Sequence, residues 1–304
     1  MSVPDFGLEL SEVPAQFEGY QPGRTLVLDG DGPAYVVAAK VKRLDTAIQH
    51  FQRAVLERMY LTKSEMASVH LTKSGSYKCG RSLMKGIKPY QGQRNGKVKP
   101  ALLEPLREAM QHRENWLPEF RVVLHDHLEA DDGMIMEAEE LAHTCVVSSE
   151  DKDLRLTRYM WHCLETGRIY PALTQDDGFL ELKFTPAGTA KIAGRGPLFF
   201  WGQMLAGDSA DNVRGLIKVG PTLCGPVKAV SVLEGVTDQH EAANRVIELY
   251  SQINQNPLPE GYCLWLWRRP GDNFLEYLKE LRLSEKNKGF IIDCYSRDWY
   301  ARPD

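Results

Sequence analysis

Apolar positions along the chain fall into short unbroken runs that alternate with helically spaced ones. TLVLDGD, from Thr25 to Asp31, is an apolar run that stops on acids, the texture of a strand covered on both faces. Thr46 to Tyr60 follows with Ile48, Phe51, Val55 and Met59 on one helical face. The pairing then recurs. FRVVLH predicts a second buried strand leading into a helix near Glu129, and HTCVVSS a third leading into a helix near Lys152. Three strand–helix units argue an α/β fold with a mainly parallel sheet. Each strand is followed by acids, so Asp29, Asp131, Asp132, Asp151 and Asp153 are expected at the carboxyl edge of the sheet, where open α/β sheets bind ligands.

Beyond these units the texture changes. RIYPALTQDDGFLELKF reads as a hairpin turning at Asp177-Gly178, and TPAGTAKIAGRGP as a Gly- and Pro-rich loop that ends a first domain at residues 1–195. Residues 196–304 read as a helical second domain. In it LFFWGQMLA leads into GDSADN, and GLIKVGPTLCGPVKAVSVLEG predicts two helices joined by a tight glycine turn, a layout whose backbone amides grip phosphate. Phe199, Phe200 and Trp201 are expected in the core, as are Trp265, Trp267, Phe274 and Tyr277.

Composition narrows the class. With 43% hydrophobic residues among 304, the chain can bury one large core or two ordinary ones. It has neither a leader-like segment nor an apolar run near the roughly 20 residues that span a bilayer, so a soluble cytoplasmic protein is expected. Six cysteines without a CxxC pair argue for reduced thiols rather than a zinc ribbon or disulfide framework. The net charge of −4 hides an uneven distribution. No acid stands between Glu65 and Glu104, where Lys73, Lys78, Arg81, Lys85, Lys88, Arg94, Lys97 and Lys99 are interleaved with Tyr77 and Tyr90. Such a mixture suits a phosphate backbone and unpaired bases. Acids converging from four separate segments need a counter-charge, and oxygen-only ligands favour Mg²⁺ or Mn²⁺. His125 and His127 lack a third ligand and are left out of the metal set. GQRNGKV is one residue short of a phosphate-binding loop.

LVLDGDGPAY, LEADD, SSEDKDL and GDSADNVRG stand in the order and spacing of four motifs, LVxDGD, E-x-D-D, S-x-DKD and GD-x-x-DN-x-x-G. From about Thr25 to Val232 the chain thereby resembles the structure-specific 5′ nuclease superfamily, and within it the 5′→3′ exonucleases of T-seven-like podophages. The resemblance implies a twisted, mainly parallel sheet between helices, followed by a helix-three-turn-helix. It implies two Mg²⁺ or Mn²⁺ ions, the first held or positioned by Asp29, Glu129, Asp131 and Asp132 and the second by Asp151, Asp153, Asp208 and Asp211, with K⁺ at the helix-three-turn-helix. The implied partner is double-stranded DNA with a 5′ end or 5′ flap, with an RNA–DNA hybrid as a further substrate, acted on by a monomer. Arg94 is implied at the scissile phosphate, and Lys73, Lys78, Arg81, Lys85, Lys88, Tyr90, Lys97, Gly215, Lys218 and Gly220 along the DNA.

Three positions depart from the pattern. Lys73 stands where the phage enzymes carry an aspartate, with His70 or Thr72 as the alternatives if the alignment shifts slightly. Gln91, in Tyr90-Gln91-Gly92-Gln93-Arg94, replaces a lysine, leaving Lys88 or Lys97 to compensate. Lys218 replaces a glycine of the helical turn. Two competing readings are a haloacid-dehalogenase-like phosphatase and an inactive DNA-binding relative. The first leaves EADD and EDKD without a purpose and needs a strand before GDSADN; the second must explain costly acids kept without a metal.

Overall fold

The computed structural model describes residues 21–174 and 177–301. Its main sheet contains β1 (Gln21–Asp29), β2 (Ser64–Thr72), β3 (Phe120–His125), β4 (Cys145–Ser148), β5 (Met160–Cys163) and β6 (Arg168–Tyr170). Their order is β3-β2-β1-β4-β5-β6, and every neighbouring pair is parallel except β5 with β6. From β1 the chain builds outward through β2 and β3, then returns to the other side of β1 as β4. The crevice beyond the carboxyl ends of β1 and β4 is therefore the topological switch point.

Side-chain alternation along β1 sends Leu26 and Leu28 to one face and Val27 to the other. On the first face they meet α1 (Asp31–Lys40), α2 (Leu44–Thr62) and α3 (Leu103–Ala109) through Ala34, Val37, Phe51, Val55, Met59 and Leu106. On the second, Val27 meets Met134, Ile135 and Ala138 of α4 (Ala130–Leu141). Glu129 caps α4 reciprocally with Asp132: each side chain accepts from the other's backbone N–H. That cap orients both acids before any ligand is considered.

Three expectations need correction. The helix near Lys152 is a single 3₁₀ turn, Lys152–Leu156, because the chain must re-enter the sheet at Met160. Asp177-Gly178 is not a hairpin turn. Arg168–Tyr170 pairs with β5, while β7 (Phe179–Phe184) pairs with β8 (Ala190–Arg195) around Thr185–Thr189. The supposed loop forms a strand because it pairs with β7 from Phe179–Arg195 to Phe184–Ala190, and Gly178 permits the close approach at its end: a Cβ there would stand 1.9 Å from the Arg195 carbonyl.

The third correction lies in the helical part, which holds α5 (Gly196–Ala206), α6 (Pro226–Val232), α7 (Gln239–Gln252), α8 (Leu258–Leu264), α9 (Phe274–Glu280) and α10 (Glu285–Ser296). Between α5 and α6 the expected first helix is a small hairpin, β9 (Lys218–Val219) and β10 (Thr222–Leu223). Gly220 opens its two-residue turn at φ 58° and Pro221 completes it, the positive-φ geometry that joins antiparallel strands. The layout of two helices around a glycine turn is thus absent here. Phe199, Phe200, Trp201, Trp265, Phe274 and Tyr277 are buried as expected, with Trp265 stacked on Tyr277 at 3.9 Å; Trp267 is only half-buried. All six cysteines are free. No helix among the described residues is long and apolar enough to cross a membrane.

Candidate active site

Asp29 ends β1, and the residue after it must be small: a Cβ on Gly30 would stand 2.8 Å from Val69 Cγ1 and 2.9 Å from the His70 carbonyl. The turn leaves the Asp29 carboxylate in the crevice, accepting from Ser149 Oγ at 2.8 Å and Asp31 N at 2.9 Å. Asp31 is held apart from it by Thr72 N and by Arg107 Nη2 at 2.7 Å. Glu129 and Asp131 enter from the start of α4, and Asp151 from the loop after β4. The resulting cleft, about 700 Å³, has an acidic wall of Asp29, Glu129, Asp131, Asp151 and Asp211 and a basic rim that includes Lys73, Lys78, Arg94, Lys97 and Lys99.

Asp211 also belongs to a second group. One oxygen each of Asp153, Asp208 and Asp211 lies within 4.8 Å of the others, and all three residues are buried. Glycines at both ends of GDSADNVRG close this loop. Gly207 and Gly215 have φ 76° and 67°, and a Cβ on Gly215 would stand 2.5 Å from Gly207 N. Asp208 and Val213 exchange backbone hydrogen bonds of 2.8 and 2.7 Å across it. Gly215 is therefore a buried loop closure whose N–H goes to Glu260 at 3.0 Å, which corrects its expected place along the DNA.

Asp132 does not join its neighbours in the cleft. It is fully buried and takes both guanidinium nitrogens of Arg81 at 2.7 Å, with Trp267 N at 3.0 Å and Glu129 N at 3.1 Å. Burial works to raise its pKa, but the Arg81 charge and these donors overcome that and hold it below the usual carboxylate range. Such a saturated carboxylate has nothing left for a metal. Its assignment as a ligand is corrected, and with it the DNA-facing role of Arg81, which is 1% exposed.

The segment carrying the other basic residues behaves as an arm folded onto the acids. Gln91 N donates to Asp211 O at 2.8 Å, Gln91 Nε2 to Asp211 Oδ1 at 3.0 Å and Arg94 Nη2 to Asp211 Oδ1 at 2.9 Å. Tyr90 spends its hydroxyl on Glu129 at 2.7 Å, making it a tether rather than the expected stacking platform. Of the arm's lysines, Lys78 brings its ammonium to the acids, 3.0 Å from Glu129 Oε1 and 2.7 Å from Gln91 Oε1. Lys97 stands on the cleft rim, Lys88 is exposed outside the cleft lining, and Lys85 pairs with Asp298 at the surface. Lys73 is exposed at the rim, while Lys218 and Gly220 are exposed on the β9–β10 hairpin. Lys152, 2.8 Å from Asp208 Oδ2, went unassigned although it is the cation flanked by two acids in SSEDKDL. Gln203, which donates to Asp153 at 2.5 Å, had no local signal at all.

Like charges and burial leave their mark on these groups. Burial and the neighbouring Asp31 push Asp29 up to about 7, and burial with Glu129 and Asp151 pushes Asp211 up to about 6. Burial and mutual repulsion also raise Asp131, Asp151 and Asp153. Between pH 4 and 7 the folded, cation-free protein then binds protons that the unfolded chain has released. Stability from Asp29 and Asp211 is present at pH 4 and lost as the pH rises toward 7. In EDTA the Tm is predicted to fall between pH 5 and pH 7.5, and millimolar Mg²⁺ to remove most of that fall. A Tm that rises across this window in EDTA would contradict the assignment.

The donor set fits hard divalent cations. It is all oxygen, it repels itself, and the buried Asp208 Oδ2 has the Lys152 charge beside it but no donor aligned to it. Among the described residues one trio, Asp153, Asp208 and Asp211, brings its oxygens within 4.8 Å of one another; Asp29, Asp131 and Asp151 line the cleft and repel one another without meeting that spacing. His125 takes no part: it is bound to His70 Nδ1 at 2.9 Å, and burial with His70 lowers it to about 4. With His70 it instead forms a floor under α4, since a Cβ on Gly133 would meet His125 Nε2 at 2.2 Å and His70 Nδ1 at 2.9 Å. Because α5 rather than a strand precedes Asp208, the phosphatase reading loses its metal loop.

No protein-family model matches the chain, and no curated protein matches it in sequence. Solved structures match it in fold. The bacteriophage T5 D15 protein co-crystallized with metal ions superposes with a TM-score of 0.54 at 14% identity, over 90% of this chain and 98% of that one. The T5 D15 flap endonuclease in a pseudo-enzyme-product complex with DNA and metal ions superposes with a TM-score of 0.53 at 14% identity and the same coverage. The chain has the fold of these structures, a mixed α/β architecture around a mainly parallel six-stranded sheet, which is the fold that the resemblance to 5′ nucleases implies.

Proposed function

We propose that the protein is a divalent-metal-dependent nuclease that hydrolyses DNA phosphodiester bonds from a 5′ end or 5′ flap. The observation that carries this reading is the cleft itself, where carboxylates from four chain segments face Lys78 and Arg94 of a basic arm. Similarity in fold to a flap endonuclease solved with DNA and metal ions supports it. Asp153, Asp208 and Asp211 would hold one cation, and Asp29, Asp131 and Asp151 a second. Bound there, divalent ions supply an activated water and charge stabilisation for the leaving oxygen. Glu129 holds Lys78 and Tyr90 in place, and Lys78 and Arg94 neutralise the phosphate as it enters. Lys78 thereby takes the part left open by Gln91.

The test is cleavage of 5′-labelled duplex and 5′-flap DNA with Mg²⁺, Mn²⁺ or EDTA. Products are expected only with a divalent ion, and their length distinguishes stepwise removal of nucleotides from release of a flap; an RNA–DNA hybrid in the same assay measures tolerance for RNA. Cleavage that persists in EDTA, or release of phosphate alone, would overturn the reading. The path of the DNA is tested separately. Lys88, Lys97 and Lys99 replaced together by alanine are predicted to flatten the salt dependence of duplex binding by about 0.9 log–log units per lost phosphate contact. An unaltered slope would put the DNA elsewhere.

A further inference from the structure

At the root of the arm three successive residues, Lys78, Cys79 and Gly80, have φ of 51°, 55° and 74°. Left-handed backbone is cheap for Gly80 but strained at Lys78 and at Cys79, and it persists only where the surroundings enforce it. One enforcing contact is the Arg81–Asp132 pair, and a second is the Cys79 N–H, which donates to His127 O at 2.8 Å. A third comes from the far end of the described chain. After α10, Asp298–Ala301 runs antiparallel beside Leu83–Lys85: Lys85 N donates to Trp299 O at 2.9 Å, Ala301 N to Leu83 O at 2.8 Å, and Met84 bridges Tyr300. Tyr300 and Tyr77 hydroxyls meet at 2.9 Å, and Tyr77 lies over the place a Gly80 Cβ would take, 2.9 Å from its hydroxyl. Trp299 anchors this segment on Tyr262 with ring centroids 5.1 Å apart.

We propose that Asp298–Ala301 is a strap that holds the strained hinge Lys78–Gly80 closed and so keeps the Lys78 ammonium among the acids. Without the strap the hinge relaxes to right-handed or extended backbone, Lys78 leaves Glu129, and the arm loosens from Leu83 to Arg94. Trp299 and Tyr300 are then positioning residues that act through Lys78. This rests on the nuclease reading only for its effect on cleavage; the effect on the arm does not.

The test uses the full chain carrying Tyr300→Ala with Ala301→Pro, which removes the tyrosine pair and the Ala301 N–H. Amide exchange at Lys85, Gln91 and Arg94 is expected to quicken about tenfold or more, while the β1 and β4 amides keep their protection. The rate of cleavage at saturating DNA should fall several-fold in this variant. In a Lys78→Met background the same strap substitutions should bring almost no further loss, since coupled positions do not add. Unchanged exchange across the arm, or losses that add fully in the combined variant, would overturn the proposal. If no variant and no wild-type protein cleaves DNA, the nuclease reading falls, and the exchange data still decide the strap.

Discussion

Asp208→Ala reduces cleavage by about 10³-fold or more while duplex binding stays the same or tightens. Removing a preorganised charge stabiliser from a buried site costs on this scale. The Asp208 carboxylate is 1% exposed; the Asp208–Val213 backbone bonds that close the loop survive the substitution, and what goes with the side chain is the Ala210 N bond to Oδ1 and the Lys152 pair. Repulsion between the site and the substrate phosphate falls when one acid is removed, hence binding that is unimpaired. Asp31→Ala is the matched control: that acid lines the same cleft but is engaged by Arg107 and Thr72 N, so a much smaller loss is expected. Single-turnover cleavage of one labelled flap substrate, with binding measured in EDTA, compares the three proteins. Wild-type turnover in Asp208→Ala at millimolar Mg²⁺ would remove the trio from the chemistry.

What could be read in advance was what the chain writes locally. β1, β3 and β4 each carry an unbroken apolar run, Leu26–Leu28, Val122–Leu124 and Cys145–Val147, and each acidic motif follows a strand end or opens a tight loop, so their convergence needs only the parallel topology. β2 is harder to see. Ser68, His70 and Thr72 are buried in it, a composition that argues against a core strand until Glu137 of α4 is known to accept from Ser68 and bind His70, and Thr72 Oγ1 to accept from Ala130 N. The β9–β10 hairpin was masked by a motif that predicts helices, although Gly220-Pro221 between Val219 and Thr222 is a strand-turn signal of its own. The arm is aperiodic, so nothing in its spacing says which cation turns inward. Lys78 and Arg81 look alike as sequence; one reaches the cleft and the other lies under it, because their acidic partners begin 48 residues or more further along.

Arg81→Met is expected to destabilise the protein by about 3–5 kcal/mol, the cost of leaving a buried charge without its partner. Asp132 would keep the backbone donors of Glu129 and Trp267 but lose both guanidinium bonds at zero exposure. Its carboxyl would then take up a proton more readily, and the variant should lose less stability at acid pH than at neutral pH. Replacing both partners, as Arg81→Met with Asp132→Leu, should recover part of the loss, because an apolar pair of similar volume removes the unpaired charge. Residual cleavage in Arg81→Met, measured well below its lowered Tm, separates the two roles that this arginine could have. If it lies beneath the site, the salt slope of DNA binding is unchanged and the loss is in stability and in the positioning of Glu129, to which Arg81 Nη1 donates at 2.9 Å. A slope that drops by about one unit with stability intact would mean instead that the guanidinium reaches a phosphate, and that the ion pair opens when DNA binds.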